Sequence, residues 1–184
     1  MQPTFTVDYT PERSRLKTFF RPFLAIPHTI AMQVWMYLVN VLTFFQWWII
    51  LFTGKRNASI ANMQKNWLGY AARVMSYSTS MYDEWPAFGP EKGAEPTTYE
   101  FAPEESANRL TNFFRMFTAI PALVVAMFVL IGAWVMMIGS WFAIMITGRQ
   151  PKGIFDYLLK THRYFVKLYS YTLLMTDTYP KFGA

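Results

Sequence analysis

Glycine followed by basic residues occurs twice in the chain, as Gly54-Lys55-Arg56 and Gly148-Arg149, and that combination can hold a phosphate between backbone N–H groups and cations. A nucleotide-binding phosphate loop also needs an upstream glycine pattern and a Ser or Thr directly after its lysine. Neither is present. The simpler chemistry is helix termination, with glycine in the left-handed cap and the next cation answering the negative end of the helix dipole. Those cations remain free to meet a lipid phosphate as well. The only histidines, His28 and His162, have no thiolates or matched carboxylates at ligand spacing, so no metal site is expected. Asp83, Glu84 and Asp177 are of the right type for acid–base work, but a turn carboxylate that caps a helix or pairs with a cation accounts for each. The chain has no cysteine, which excludes disulfides and thiolate chemistry. No serine–histidine–acid order or glycine-rich fingerprint is found. The expectation is a protein that is not an enzyme and carries no cofactor.

What must position these residues is largely apolar. The 184 residues are 53% hydrophobic, 19% aromatic and only 15% charged, unusual for a water-soluble domain. Thirty-three uncharged residues separate Arg21 from Lys55, and thirty-three separate Arg115 from Arg149. A soluble core helix rarely avoids charge for so long, because one face must meet water. Pro27 and Pro121 come early in these runs and are expected to break or kink them, leaving 26 residues in each, His28 to Thr53 and Ala122 to Thr147. Each is about 39 Å of helix, enough for a tilted membrane segment. The polar start MQPTFTVDYTPERSR shows no cleavable leader pattern. Seventeen Lys and Arg against eleven Asp and Glu suit an anionic lipid surface. Nucleic acid is not expected, because the basic residues flank apolar runs.

The chain says nearly everything twice. RLKTFFRPFLAIP (15 to 27) and RLTNFFRMFTAIP (109 to 121) agree at nine of thirteen positions. The same offset of 94 pairs Thr53-Gly54 with Thr147-Gly148, Ser76-Tyr77 with Ser170-Tyr171, and Asp83 with Asp177. A tandem duplication follows, with a first repeat at 1–89, an acidic, solvated linker at 90–98 and a second repeat at 99–184.

The fold class expected is mainly α and membrane-integral. Each repeat should hold a short strand, an interfacial amphipathic helix, one long membrane helix and a second amphipathic interfacial helix. The alternating TFTVDY (4 to 9) and TTYEF (97 to 101) should pair as a ribbon. Ser14 to Ala25 and Asn108 to Ala119 set arginines among phenylalanines, the composition of a helix whose cations reach phosphates while its rings sink. In residues 154 to 175 a polar arc of Asp156, Lys160, Arg163, Tyr164, Lys167 and Tyr171 opposes Phe155, Leu158, Val166, Tyr169 and Leu173, which predicts a helix lying on the membrane. In the first repeat this helix has Gln64 and Lys65 in its apolar face and should sit more shallowly or against protein. Both histidines read as interfacial polar residues. Two topologies remain open: single spans with inverted repeats, or helical hairpins that dip in and return.

Headgroup candidates are Arg15, Arg21, Lys55, Arg56, Arg109, Arg115, Arg149 and Lys152. Helix-packing candidates are Gly132, Gly139 and Ala143, one small-residue stripe in the second segment, opposite Leu38, Phe45 and Ile49 of the first. Gln33 and Asn40 share another face, and amides in hydrocarbon call for a partner.

At FFRxFxAIP, the apolar run, TGRQPKGIFDY and TDTYPKFG, the chain resembles a bacterial membrane-protein family known as domain of unknown function 4389. The second repeat matches at Thr147, Gly148, Arg149, Pro151, Gly153, Phe155, Asp156, Thr176, Asp177, Tyr179, Pro180 and Phe182. The first departs from it, with Lys55-Arg56-Asn57-Ala58 and Trp85 in place of the expected pattern. The resemblance implies a bacterial inner-membrane location and brings no activity. Two functions are consistent with these readings: an assembly or accessory subunit working as a homo-oligomer or in a larger membrane complex, and a protein that binds anionic lipid or amphiphile.

Overall fold

Alternation of apolar and polar residues at the start of each repeat produces a strand. In the computed structural model, which describes residues 2 to 183, β1 (Thr4–Val7) and β2 (Thr97–Glu100) pair antiparallel with Thr4 opposite Glu100 and Val7 opposite Thr97. Phe5 and Val7 point into the core while Thr4 and Thr6 face out. The expected ribbon forms, and it ties the two repeats together.

The remaining elements are helices: α1 (Arg15–Leu24), α2 (Ile26–Thr53), α3 (Ala58–Ser78), α4 (Arg109–Thr147) and α5 (Lys152–Thr172). Ser14 and Asn108 cap α1 and α4, accepting from the amides of Lys17 and Thr111. Gly54 and Gly148 end α2 and α4 with φ of +72°, the left-handed cap expected of them.

Pro27 and Pro121 do not turn the chain into a new direction. α4 runs 39 residues straight through Pro121. α1 and α2 are interrupted only at Ala25, which keeps right-handed helical angles and donates to the Arg21 carbonyl. The first repeat has two prolines, Pro22 and Pro27, each removing one backbone donor; Met116 stands where the second repeat would have its first. The interfacial helix and the long helix are therefore one rod in each repeat. No turn occurs within α4, which rules out a helical hairpin there.

The two rods run antiparallel. Arg15 at the start of α1 donates to the Ile146 carbonyl at the end of α4, while Trp47 and Asn112 exchange side-chain-to-carbonyl bonds at the other end. A second layer consists of α3 on α2 and α5 on α4, each antiparallel to its rod. Trp67 donates to the Met32 carbonyl and Tyr164 to that of Ala122. α3 meets α5 through Trp67 and Tyr169, with ring centroids 5.5 Å apart. The ribbon covers this layer, with Tyr99 against Gly69 and Arg163 donating to the Phe5 carbonyl.

This arrangement corrects the expectation that α5 lies on a membrane, and of the two alternatives for α3 it is the packing against protein that occurs. Trp67, Leu68, Ala71, Ala72 and Tyr77 of α3 and Phe155, Leu158 and Val166 of α5 are core residues. Tyr164 and Tyr171, placed on the polar arc, are buried too; a tyrosine turns inward where its hydroxyl finds a carbonyl or hydroxyl partner. The linker is not wholly solvated either. Glu95 is buried in an ion pair of 2.9 Å with Arg73, whose guanidinium also donates to the carbonyls of Gly89 and Pro90.

Candidate functional site

The arginine of each FFR motif ends in a closed pocket of acceptors. Arg21 donates to the carbonyls of Tyr77 (2.6 Å) and Tyr82 (2.7 Å) and to Asp83 Oδ1 (2.5 Å). Asp83 Oδ2 accepts from the Ser14 amide at the start of α1. The same set recurs in the second repeat: Arg115 donates to the carbonyls of Tyr171 (2.6 Å) and Thr176 (2.7 Å) and to Asp177, whose Oδ2 accepts from the Asn108 amide. Each guanidinium lies over a tyrosine ring, 4.6 Å from the Tyr77 centroid and 4.4 Å from that of Tyr171. Each clamp fastens the turn after α3 or α5 to the start of its own rod.

A second arginine completes each clamp, and the two come from different places in the chain. In the first clamp Arg13 donates to the carbonyls of Ser80 and Met81. In the second, Arg56 donates to the Leu174 and Ser106 carbonyls and to Asp177. Ser80 and Leu174 are 94 apart, whereas Arg13 corresponds to Ala107 and Arg56 to Gln150. The two positions face one another across matching β-bridges, Glu12 with Arg149 and Ser106 with Lys55. A guanidinium thus fills the same space from either side of the bridge, and Arg56 of the first repeat locks the second.

These contacts divide the headgroup candidates. Arg21, Arg56 and Arg115 are buried with their terminal guanidinium nitrogens held by carbonyls and carboxylates of the protein, so they are withdrawn as lipid ligands. Arg15, Lys55, Arg109, Arg149 and Lys152 are exposed. Arg15 and Arg149 stand at one end of the rod pair, where Arg15 lies against Gly148; Arg109 and Lys55 stand at the other, where Arg109 lies against Gly54. Lys152 pairs with Asp156 one helical turn on.

The helix-packing candidates are also redistributed. Gly132 and Gly139 face α5 of their own repeat, not the first rod: a Cβ on Gly132 would lie 2.0 Å from the Tyr157 hydroxyl, and one on Gly139 would meet Ile154 at 3.7 Å. Ala143 is half-buried. Gln33 and Asn40 are exposed and border a cavity of about 250 Å³ with Trp67, Ala71, Met75 and Tyr169. Both histidines are buried, not interfacial. His28 Nδ1 is 2.8 Å from the Tyr70 hydroxyl and its ring stacks on Phe88. His162 Nδ1 is 3.1 Å from Ser76 Oγ, and burial pulls its pKa down to about 4. Burial likewise pushes the Tyr82 phenol up. Among the described residues no cluster of His, Asp or Glu is placed to hold a metal.

Among the described residues nothing covers the side of the rods turned away from α3 and α5. Large apolar residues stand exposed along both rods at matching positions, among them Leu16 and Leu110, Phe23 and Phe117, Val34 and Phe128, Trp48 and Phe142, and Phe52 and Ile146. Both rods are long and apolar enough to cross a membrane. Two further cavities lie where both rods meet the second layer, about 420 Å³ beside Thr29, Trp134 and Phe165 and about 540 Å³ beside Trp47, Ala119 and Thr172.

Compared with known families, residues 15–89 and again 109–184 match the model described as Domain of unknown function (DUF4389). The chain belongs to this family, in two tandem copies. No curated protein and no solved structure matches it. Each DUF4389 copy holds the arginine–aspartate pair of one clamp, Arg21 with Asp83 or Arg115 with Asp177. The paired FFR and closing aspartates marked these residues in the sequence, but their union was not foreseen, since about sixty residues separate them. The crossing of Arg56 into the second copy left no trace, because Arg13 and Arg56 both break the repeat.

Proposed function

We propose that this protein is a non-enzymatic membrane protein that works as an assembly or accessory subunit, by self-association or within a larger membrane complex. The observation that supports this reading is the uncovered apolar face along both rods. A patch of that size on a lone soluble chain would drive aggregation, and such patches mark membrane or protein contacts. The clamps point the same way, because their carboxylates and arginines are consumed in holding the two layers together and leave no free acid–base pair. Purification in mild detergent should give a species well above the 21.5 kDa of one chain once bound detergent is subtracted, or one that retains a partner protein. A monodisperse, unaccompanied monomer would sink the proposal.

The cavities where the rods meet the second layer favour a second reading, binding of lipid or amphiphile. Acyl chains fit apolar clefts of a few hundred Å³, and exposed Arg15, Lys55, Arg109, Arg149 and Lys152 supply charge for an anionic headgroup at roughly 1 kcal/mol each. Neutralising all five should reduce anionic lipid retained in native mass spectrometry. Unchanged retention would discard this reading and leave the first intact.

A further inference from the structure

The long helices join the polar layer at both of their ends. β1, which precedes the first rod, pairs with β2, which follows it. Arg13, before the first rod, donates to the Ser80 carbonyl between the rods, and Arg56, between the rods, donates to the Leu174 carbonyl after both. α3, between the rods, packs on α5, after both. The segments before, between and after the rods are therefore one continuous body. A rod that crossed a bilayer would deliver the segments at its two ends to opposite sides, and these contacts would have to be made through the hydrocarbon.

The alternative of sinking the whole body into the membrane fails on charge. α3 and α5 lie alongside the middle of the rods, as Tyr70 on His28 and Tyr157 over Gly132 show. On their far side stand exposed Asp156, Lys160 and Arg163, and the ribbon with exposed Asp8 and Glu100. At mid-depth these exposed charges and ribbon edges would lose their water, with only Lys152 beside Asp156 and the Phe5 carbonyl at Arg163 to offset it.

The exposed face has the shape that fits a third arrangement. A perpendicular span shows apolar residues over about 20 positions and polar ones beyond. Here the stripe runs from the first turn, at Leu16 and Leu110, to the last, at Phe52 and Ile146, and each 39-residue rod is about 58 Å long. Cations border the stripe at both ends, Arg15 and Arg149 at one and Lys55 and Arg109 at the other. Resting on the membrane reading above, we propose that both rods lie flat in a single anionic leaflet. Their apolar face sits among the acyl chains, and α3, α5 and the ribbon stand in water on one side.

The cysteine-free chain allows a direct test by single-cysteine variants. Thr6→Cys in the ribbon, Ala94→Cys in the linker and Lys160→Cys on α5 should all react with a membrane-impermeant maleimide in the same preparation, either spheroplasts or inverted vesicles, and none in the other. Nitroxides at Leu16→Cys, Val34→Cys and Phe52→Cys, in vesicles of phosphatidylglycerol and phosphatidylcholine, should report similar shallow depths, with collision by oxygen favoured over a water-soluble nickel chelate. Labelling of Thr6 and Ala94 in opposite preparations would establish crossing rods and overturn the proposal. So would a Val34 label deep in the bilayer between two shallow ends. Spontaneous disulfides between two unlabelled Val34→Cys chains, with no oxygen contact for the nitroxide, would give the face to a second copy instead. Recovery of the chain entirely in the soluble fraction would defeat the membrane reading itself, which separates that failure from an error of orientation alone.

Discussion

Arg13 and Arg56 do the same work from opposite sides of a bridge, and that equivalence can be tested by moving one of them. Arg56→Gln copies the residue at 150 and removes the second guanidinium from the Asp177 clamp, leaving the Leu174 and Ser106 carbonyls without a donor. Loss of a buried pair of this kind costs about 3 to 5 kcal/mol. Adding Ala107→Arg should return much of it, because the Ala107 amide donates to Gly54 as the Arg13 amide donates to Gly148. The double variant, compared with Arg56→Gln by thermal unfolding, should recover most of the lost stability; no recovery would show that the two clamps differ in more than the origin of their arginine. His162 offers a pH signature. It is neutral and buried against Ser76, with its pKa lowered from 6.5 to about 4. A depressed histidine contributes stability that is complete above 6.5 and is lost as pH falls toward 4, by at most about 1.4 kcal/mol per pH unit. His162→Gln should flatten unfolding free energy over that window relative to the parent chain, and a parent curve already flat there would refute the assignment.

At the scale of elements, composition revealed more than position. Ribbon and glycine C-caps were legible because each rests on local chemistry: alternation at Phe5 and Val7, and positive φ at Gly54 and Gly148. The rods are legible as apolar runs, but Pro121 reads as a break or kink because a proline inside a helix usually makes one. Here the 39-residue helix continues around a single missing hydrogen bond. The polar arc of α5 misled for a different reason. Tyr164 and Tyr171 count as polar in a projection yet bury their rings, and what covers a helix is decided by partners far away in sequence. The small-residue stripe is a similar case, since Gly132 accommodates Tyr157 of α5 and not the other rod. At the corresponding positions the first repeat has Leu38 and Met63, a bulkier rod residue with a slimmer partner. Gly132→Leu alone should therefore overpack the contact and destabilise by about 1 to 3 kcal/mol. Gly132→Leu with Tyr157→Met, which recreates the first repeat's pair, should be milder than the single change. Gly139→Ala should be near neutral, with only Ile154 in ordinary contact. A double variant less stable than Gly132→Leu would show that the two repeats pack these helices differently.

For the molecule as a whole, the duplication suggests two modules joined by a linker, yet the contacts describe two halves that complete one another. Arg56 of the first copy neutralises Asp177 of the second, and Arg15 of the first binds the last turn of the second copy's rod. Trp47 and Asn112 bond across the same seam, β1 pairs with β2, and His162 packs on Ser76. A half expressed alone would expose α3 or α5 on the side now buried against the other, in addition to the apolar face of its rod. It would also lose either the donor or the acceptors of the second clamp. Residues 1–93 and 94–184 as separate chains should consequently fail to fold singly, giving aggregated or protease-sensitive material in detergent. Expressed together they should co-purify as a one-to-one pair with protease resistance close to that of the intact chain, because the cut falls between Gly93 and Ala94, both exposed, and leaves the Glu95–Arg73 pair to hold the second fragment against α3. Introducing Asp177→Asn into the second fragment should weaken the pair, since Arg56 and Arg115 would both lose the carboxylate they share. Asp83→Asn in the first should weaken it less, because the Arg21–Asp83 pair lies within one half. If either half alone proves folded and protease-resistant, the copies are independent domains and the interlock of Arg56 is dispensable.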